Sequence, residues 1–173
     1  SLAEEVHRLE AVAALLSGDL EWVVGRSRIL AESETLEDYL DQPSALGRLR
    51  LQSELTSLAL HSGLYDDIWL TSAAGDIDLH IAYDAGEPRV LEGAETPARL
   101  PSHVRRAIAE LEVSDIYVGP LRRDGSDEDP NILIALLATD SANTPKGALV
   151  LSYPAEILLQ RLRLATAGGR SDM

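Results

Sequence analysis

Tyr65-Asp66-Asp67-Ile68-Trp69-Leu70-Thr71-Ser72-Ala73-Ala74-Gly75-Asp76-Ile77-Asp78-Leu79-His80-Ile81-Ala82-Tyr83-Asp84 reads as two short strands folded back on each other. Ile68 and Leu70 alternate with Trp69, and Ile77, Leu79 and Ile81 alternate again after Ala73-Ala74-Gly75-Asp76, a run of turn formers. Period-two alternation on both sides of a glycine-containing turn predicts a β-hairpin. Because successive side chains in a strand point to opposite faces, His80 is expected on the face opposite Leu79 and Ile81.

Downstream of the hairpin, Ala85-Gly86-Glu87-Pro88 predicts a turn into a short strand from Arg89 to Leu91, and Pro101 opens a helix running through Leu111. Strands are predicted at Asp115 to Gly119 and Ile132 to Thr139. The turn formers Ser141 to Lys146 then lead to an apolar strand from Gly147 to Tyr153. Pro154 is expected to begin a last helix carrying Ile157, Leu158 and Leu162. Upstream, Pro43-Ser44 opens a helix with Leu46, Leu49, Leu51, Leu55 and Leu58, ending near Gly63, and Thr35, Asp38 and Tyr39 mark a shorter capped one.

The first thirty residues carry Leu2, Val6, Leu9, Ala13, Leu16, Leu20, Val23 and Leu30 at a 4-3-4-3 spacing broken only at Ser27. Such a heptad-like stripe predicts a helix about 40 Å long, serving either as a dimer seam or stalk or as a helix packed on its own sheet. Helices first, then about five strands in one antiparallel sheet with a helix inserted midway, define an α+β fold. The division expected is an N-terminal helical region over 1–62, one domain over 63–165, and a tail over 166–173.

Composition narrows the functions open to such a domain. The 173 residues carry a formal charge of −14, and a phosphate backbone needs clustered Lys and Arg, so no nucleic-acid partner is expected. There are no cysteines, which excludes disulfides, a thiol nucleophile and thiolate-held metals. No apolar run reaches the roughly 18 residues of a membrane-spanning helix. His7, His61, His80 and His103 form no His-x-x-x-His pair, and neither a Gly-x-Ser-x-Gly elbow nor a phosphate-binding glycine loop is present. The domain is therefore read as non-catalytic, with no cofactor or metal expected.

Several segments resemble, in order and spacing, the PDC or Cache domains, PAS-like extracytoplasmic sensor modules of bacterial transmembrane signalling proteins. Family members have a helix ending in a Tyr-Leu pair, a strand beginning Tyr-Asp-Gln-Ile, a glycine-centred turn and a second strand. Here Asp38-Tyr39-Leu40, Tyr65-Asp66-Asp67-Ile68 and Gly75 to Ile81 are similar to these. Tyr117-Val118-Gly119-Pro120-Leu121, the acidic loop Asp124 to Asp129, and Lys146-Gly147-Ala148-Leu149-Val150-Leu151-Ser152-Tyr153 are similar to the family's later Tyr-Val-Ser-Pro-Leu, acidic loop and Lys-Gly strand.

The resemblance implies a five-stranded PAS-like sheet and a periplasmic location between inner-membrane helices lying outside this chain. It further implies a small-molecule ligand and an output module of the histidine kinase, diguanylate cyclase or chemoreceptor kind. Homodimerisation through the first helix is the accompanying expectation, and a ligand-free dimerisation or periplasmic docking module is the alternative. Where the family carries arginines, this chain resembles it with Trp69, His80 and a residue among Leu133 to Leu136. A guanidinium fork is the natural carboxylate clamp, so recognition of an anionic or amino-acid ligand does not carry over.

Trp69, His80, Tyr83 and Tyr117 are the candidate ligand-binding residues, polar-tipped aromatics suited to one pocket beside the sheet and to a small apolar or cationic ligand. Core and sheet-surface packing is the competing account of all four. His80 also offers proton sensing near neutral pH. Asp66, Asp67, Asp76, Asp78 and Asp84 match no EF-hand spacing and are expected to form a solvated rim.

Overall fold

The computed structural model describes residues 1–62, 65–84, 86–121, 131–154 and 160, with side chains described except at 8–9, 11–17, 19–20, 62, 84 and 120–121. Helix α1 spans Leu2–Ala31, α2 Glu34–Asp41 and α3 Ala45–Ser62. The hairpin follows as β1 (Asp67–Ser72) and β2 (Ile77–Asp84), then β3 (Glu87–Leu91), a single 3-10 turn at Gly93–Glu95, and α4 (Ser102–Ala109). Strands β4 (Ile116–Leu121), β5 (Asn131–Thr139) and β6 (Pro145–Pro154) complete the order. The helix expected from Pro154 and the acidic loop at 124–129 lie outside the described residues.

Local sequence explains the helix starts. Ser1 and Glu4 form a reciprocal capping box on α1, satisfying two of its orphan donors. Helix α2 is capped by Ser33, whose side chain accepts from the Leu36 amide, and not by Thr35 as expected from sequence. Ser44, after Pro43, accepts from the Gly47 amide at 3.0 Å where α3 begins.

All six strands pair antiparallel in the order β3-β2-β1-β6-β5-β4. The count is six against the expected about five, and the short strand expected at Arg89 to Leu91 pairs along the outer side of β2 as Glu87–Leu91. Pro88 and Pro120 sit in the two edge strands, the positions where a missing amide leaves no ladder bond broken. Between β3 and β4 the chain crosses from one edge of the sheet to the other by way of α4.

The two faces of the sheet are covered unequally. Ile68, Leu70, Leu79, Ile81, Ile134, Leu136, Leu149, Leu151 and Tyr153 pack in one core with Val23 and Leu30 of α1, Leu36 and Tyr39 of α2, and Leu51, Leu55 and Ala59 of α3. The helical region thus shares a core with the sheet. On the other face, Trp69, Leu133, Ala135, Ala148 and Val150 pack against Leu100 and Val104 from the α4 segment.

A bulge in β2 breaks the simple alternation. Leu70 pairs with Leu79 but Thr71 pairs with Ile77, so Asp78 is an extra residue and Ile77 turns to the α4 face. Asp78 accepts from the Tyr39 hydroxyl at 2.8 Å and is ion-paired with Arg48, which ties the bulge to α2 and α3. The hairpin turn places Gly75 at φ 85, a left-handed conformation that glycine adopts without a Cβ penalty.

Candidate ligand site

Pairing of the strands sets one transverse row of residues on the α4 face: Leu91, His80, Trp69, Val150, Ala135 and Tyr117, contributed in turn by β3, β2, β1, β6, β5 and β4. Large aromatic residues stand on both flanks, and Val150 and Ala135 form a low floor between them. Trp69 and His80 are stacked, their ring centroids 5.0 Å apart at an interplanar angle of 26°. Tyr117 is half-buried and leans over Gly119, where a Cβ would fall within 2.1 Å of the tyrosine hydroxyl. The absence of a side chain at Gly119 is what leaves room for the tyrosine there.

Tyr83 does not join this row. It packs against the helical core with Ile81, because it shares that residue's parity along β2. Of the four aromatics expected in one pocket, Trp69, His80 and Tyr117 share a face and Tyr83 faces away.

Polar atoms on the same face are of two kinds. Asp67 and His80 are satisfied by each other: His80 Nε2 lies 2.8 Å from Asp67 Oδ1, and its Nδ1 lies 2.8 Å from the Thr96 hydroxyl. Both members of the pair are shielded, at 7% and 15% side-chain exposure for His80 and Asp67. A paired and hydrogen-bonded charge is the form in which burial is tolerated. By contrast, Trp69 Nε1 and Thr71 Oγ1 are buried with no hydrogen-bond partner among the described residues. Two unmatched donors two residues apart on one strand face are costly. Nearby, Asn131 Nδ2 donates to the buried Ser152 hydroxyl at 2.9 Å.

The carboxylates expected to form one solvated rim go to different partners. Asp67 holds His80, Asp76 is ion-paired with Arg99 at 2.8 Å, and Asp78 holds Arg48 and Tyr39. The bond between Tyr39 and Asp78, together with burial, raises the phenol pKa, with desolvation the larger cause. Among the described residues no group of three His, Cys, Asp or Glu converges to hold a metal ion. A cleft of about 440 Å³ lined by Ile29, Leu30, Leu58 and His61 lies between α1 and α3, away from the aromatic row.

Asp67, Thr71 and Thr96 were not singled out from sequence as ligand-site residues. The parity of Thr71 with Trp69 was a usable signal. The approach of Thr96 to His80 depends on a tertiary crossing and had none.

No family model matches the sequence, and no curated protein matches it. Solved structures do. A domain of a Vibrio parahaemolyticus protein described as of the sensory box/GGDEF family superposes with a TM-score of 0.76 at 21% identity, covering 92% of this chain and 62% of that one. The extracellular domain of a histidine kinase, vpHK1S-Z8, gives 0.76 at 21% identity over 92% of this chain and 59% of its own. The ligand-binding domain of the Campylobacter jejuni chemoreceptor Tlp3, in complex with L-norvaline, gives 0.68 at 14% identity over 93% and 61%.

The chain has the PDC/Cache sensor-domain fold.

It spans about three-fifths of the length of these structures, from 59% to 62%. Identities this low establish the PDC/Cache architecture and carry no ligand across. No described helix is long and apolar enough to cross a membrane.

Proposed function

We propose that this chain is a non-catalytic extracytoplasmic sensor domain, periplasmic in location, of a transmembrane histidine kinase, diguanylate cyclase or chemoreceptor. It binds a small molecule on the α4 face and relays occupancy through its terminal helices. The observation that carries the reading is the pair of buried donors without a partner among the described residues, Trp69 Nε1 and Thr71 Oγ1, on the sheet face that also carries the stacked Trp69–His80 rings and Tyr117. A ligand acts on such a domain only through differential affinity for two arrangements of it.

The described residues of that face favour a small apolar or cationic ligand. Asp67 and His80 already engage each other at 2.8 Å, and the positions where the resemblance places the family's arginines hold Trp69 and His80. Tlp3 is a complex with an amino acid, and that specificity is not transferred. A metabolite library screened by thermal shift and then calorimetry is expected to give binders whose effect is lost in Trp69→Ala and Tyr117→Ala. Finding no binder, or one indifferent to both substitutions, would sink the ligand-sensing reading.

A second reading has its own observation. Leu2 and Val6, at the start of the heptad-like stripe, are 81% and 46% exposed. That favours α1 as a homodimer seam or a docking surface for a periplasmic partner protein. Sedimentation at high concentration tests it, and a persistent monomer would count against dimerisation.

A further inference from the structure

The segment from Glu92 to Pro101 runs from β3 to α4 as a strap over the edge of the aromatic row, and its attachments are few. At its far end the Ile77 amide donates to Ala98 O at 2.9 Å. Beside this bond Arg99 donates to Asp76 and to Ala74 O. At its near end Arg89 pairs with Glu95 at 3.3 Å, an exposed contact of little weight. Between them the strap meets the buried polar network of the sheet at one point, the Thr96 hydroxyl against His80 Nδ1.

That point is not neutral as to protonation. His80 Nε2 faces a carboxylate, which accepts only, so Nε2 carries a proton whichever form the ring takes. In the neutral ring Nδ1 is then a bare acceptor, and the Thr96 hydroxyl must donate to it. In the imidazolium Nδ1–H donates, the Thr96 oxygen accepts, and its proton is released. The acceptor in reach of that proton is the strap's own Pro97 O, 3.5 Å away. Adding one proton to His80 therefore reverses the Thr96 hydroxyl and gives the strap a second, internal bond. It also turns the stack on Trp69 into a cation over an indole face.

We propose that Asp67, His80 and Thr96 form a proton-operated latch for the 92–101 strap, tightened when His80 is charged. That the strap gates a ligand rests on the sensor reading above, whereas the latch itself does not. The charged groups on the neighbouring elements are engaged elsewhere or exposed. Arg89 of β3 is paired with Glu95 of the strap, Asp76 with Arg99, and the Arg105 Nε of α4 with Leu100 O, while Glu92 is exposed.

The test is amide hydrogen exchange on the full chain without ligand, expressed as protection factors at about pH 5.5 and 8. Amides of the strap are expected to be about threefold to tenfold better protected at the lower pH, the range one hydrogen bond confers. In Thr96→Val, which keeps the shape and removes the hydroxyl, the pH difference should vanish. His80→Gln, polar but not titratable, should abolish it too. Nitrogen-15 shifts of the His80 ring should show Nε2 protonated throughout and Nδ1 gaining its proton over the same pH range. Equal strap protection at both pH values in the wild type, or a pH response surviving either substitution, overturns the latch. A latch that fails leaves ligand binding untouched, and a screen that yields no ligand leaves these exchange data standing.

Discussion

Replacing Thr71 with valine puts the account of the aromatic face at risk most directly. Thr71 is 2% exposed near the turn end of β1, paired with Ala148 on one side and Ile77 on the other, and its hydroxyl has no partner among the described residues. A buried hydroxyl without a partner costs roughly 1–3 kcal/mol of desolvation. Valine has nearly the same shape, the same branching at Cβ and an equal or better strand propensity. Thr71→Val should therefore stabilise the unliganded protein by about 1–2 kcal/mol. At 2–4 °C per kcal/mol for a chain of this size, the melting temperature should rise by roughly 2–8 °C. The slope of the urea transition should not change, because the surface exposed on unfolding does not. Affinity for any ligand that uses this hydroxyl should fall in the same variant, separating stability from function. A loss of stability of about 1 kcal/mol or more would show that the hydroxyl is bonded in the native state. The argument for unmatched donors would then fall, and with it the main support for the binding face.

Gly147 pairs with Ser72 and would place a Cβ 1.9 Å from Thr71 O, a backbone atom that cannot swing aside. Gly147→Ala is expected to cost about 3 kcal/mol, read as an early urea midpoint; a cost below about 1 kcal/mol would refute the close approach. Tyr65 is 1% exposed, its hydroxyl has no hydrogen-bond partner among the described residues, and burial raises its pKa above the ordinary 10.0 although the nearby Ser27 hydroxyl pulls the other way. The folded state thus holds the phenol neutral while the unfolded chain ionises. The associated stability is intact below about pH 10 and lost as pH rises through the folded pKa. Tyr65→Phe should be neutral or stabilising near pH 7 and should flatten the decline above about pH 10. An unchanged alkaline slope in urea titrations would contradict this.

How far the fold was legible depended on whether a feature was local. The hairpin, its Gly75 turn and the helix from Ala45 to Ser62 follow from periodicity and turn chemistry a few residues wide. The bulge at Asp78 was not legible, since Ile77, Leu79 and Ile81 read as one unbroken face and only the pairing with β1 shows that Ile77 lies on the other. His80 was placed opposite Leu79 and Ile81 by alternation, and the same count carries Tyr83 to the helical side. Grouping Tyr83 with His80 overlooked that parity. The engagement of Asp67 with His80 needed the register of two strands, and that of Thr96 needed the path of a crossing segment. Neither leaves a trace in local composition.

The two faces of the sheet are held unequally, which bears on the proposed ligand site. The helical side is closed by buried residues from three elements, Val23, Leu30, Leu36, Tyr39, Leu51, Leu55 and Ala59. At about 1.5–3 kcal/mol for each large apolar side chain, separating those helices from the sheet approaches the cost of unfolding. Among the described residues the α4 side is closed by buried Leu100 and Val104, with Ile108 partly buried. Local opening draws on the least covered part of a structure, where few apolar contacts must be broken. The α4 face is therefore the side on which the proposed ligand site requires the fewer described contacts to break. The Asp78 bulge, bonded to Tyr39 and Arg48, joins the strand that carries His80 to the helices that stay in place.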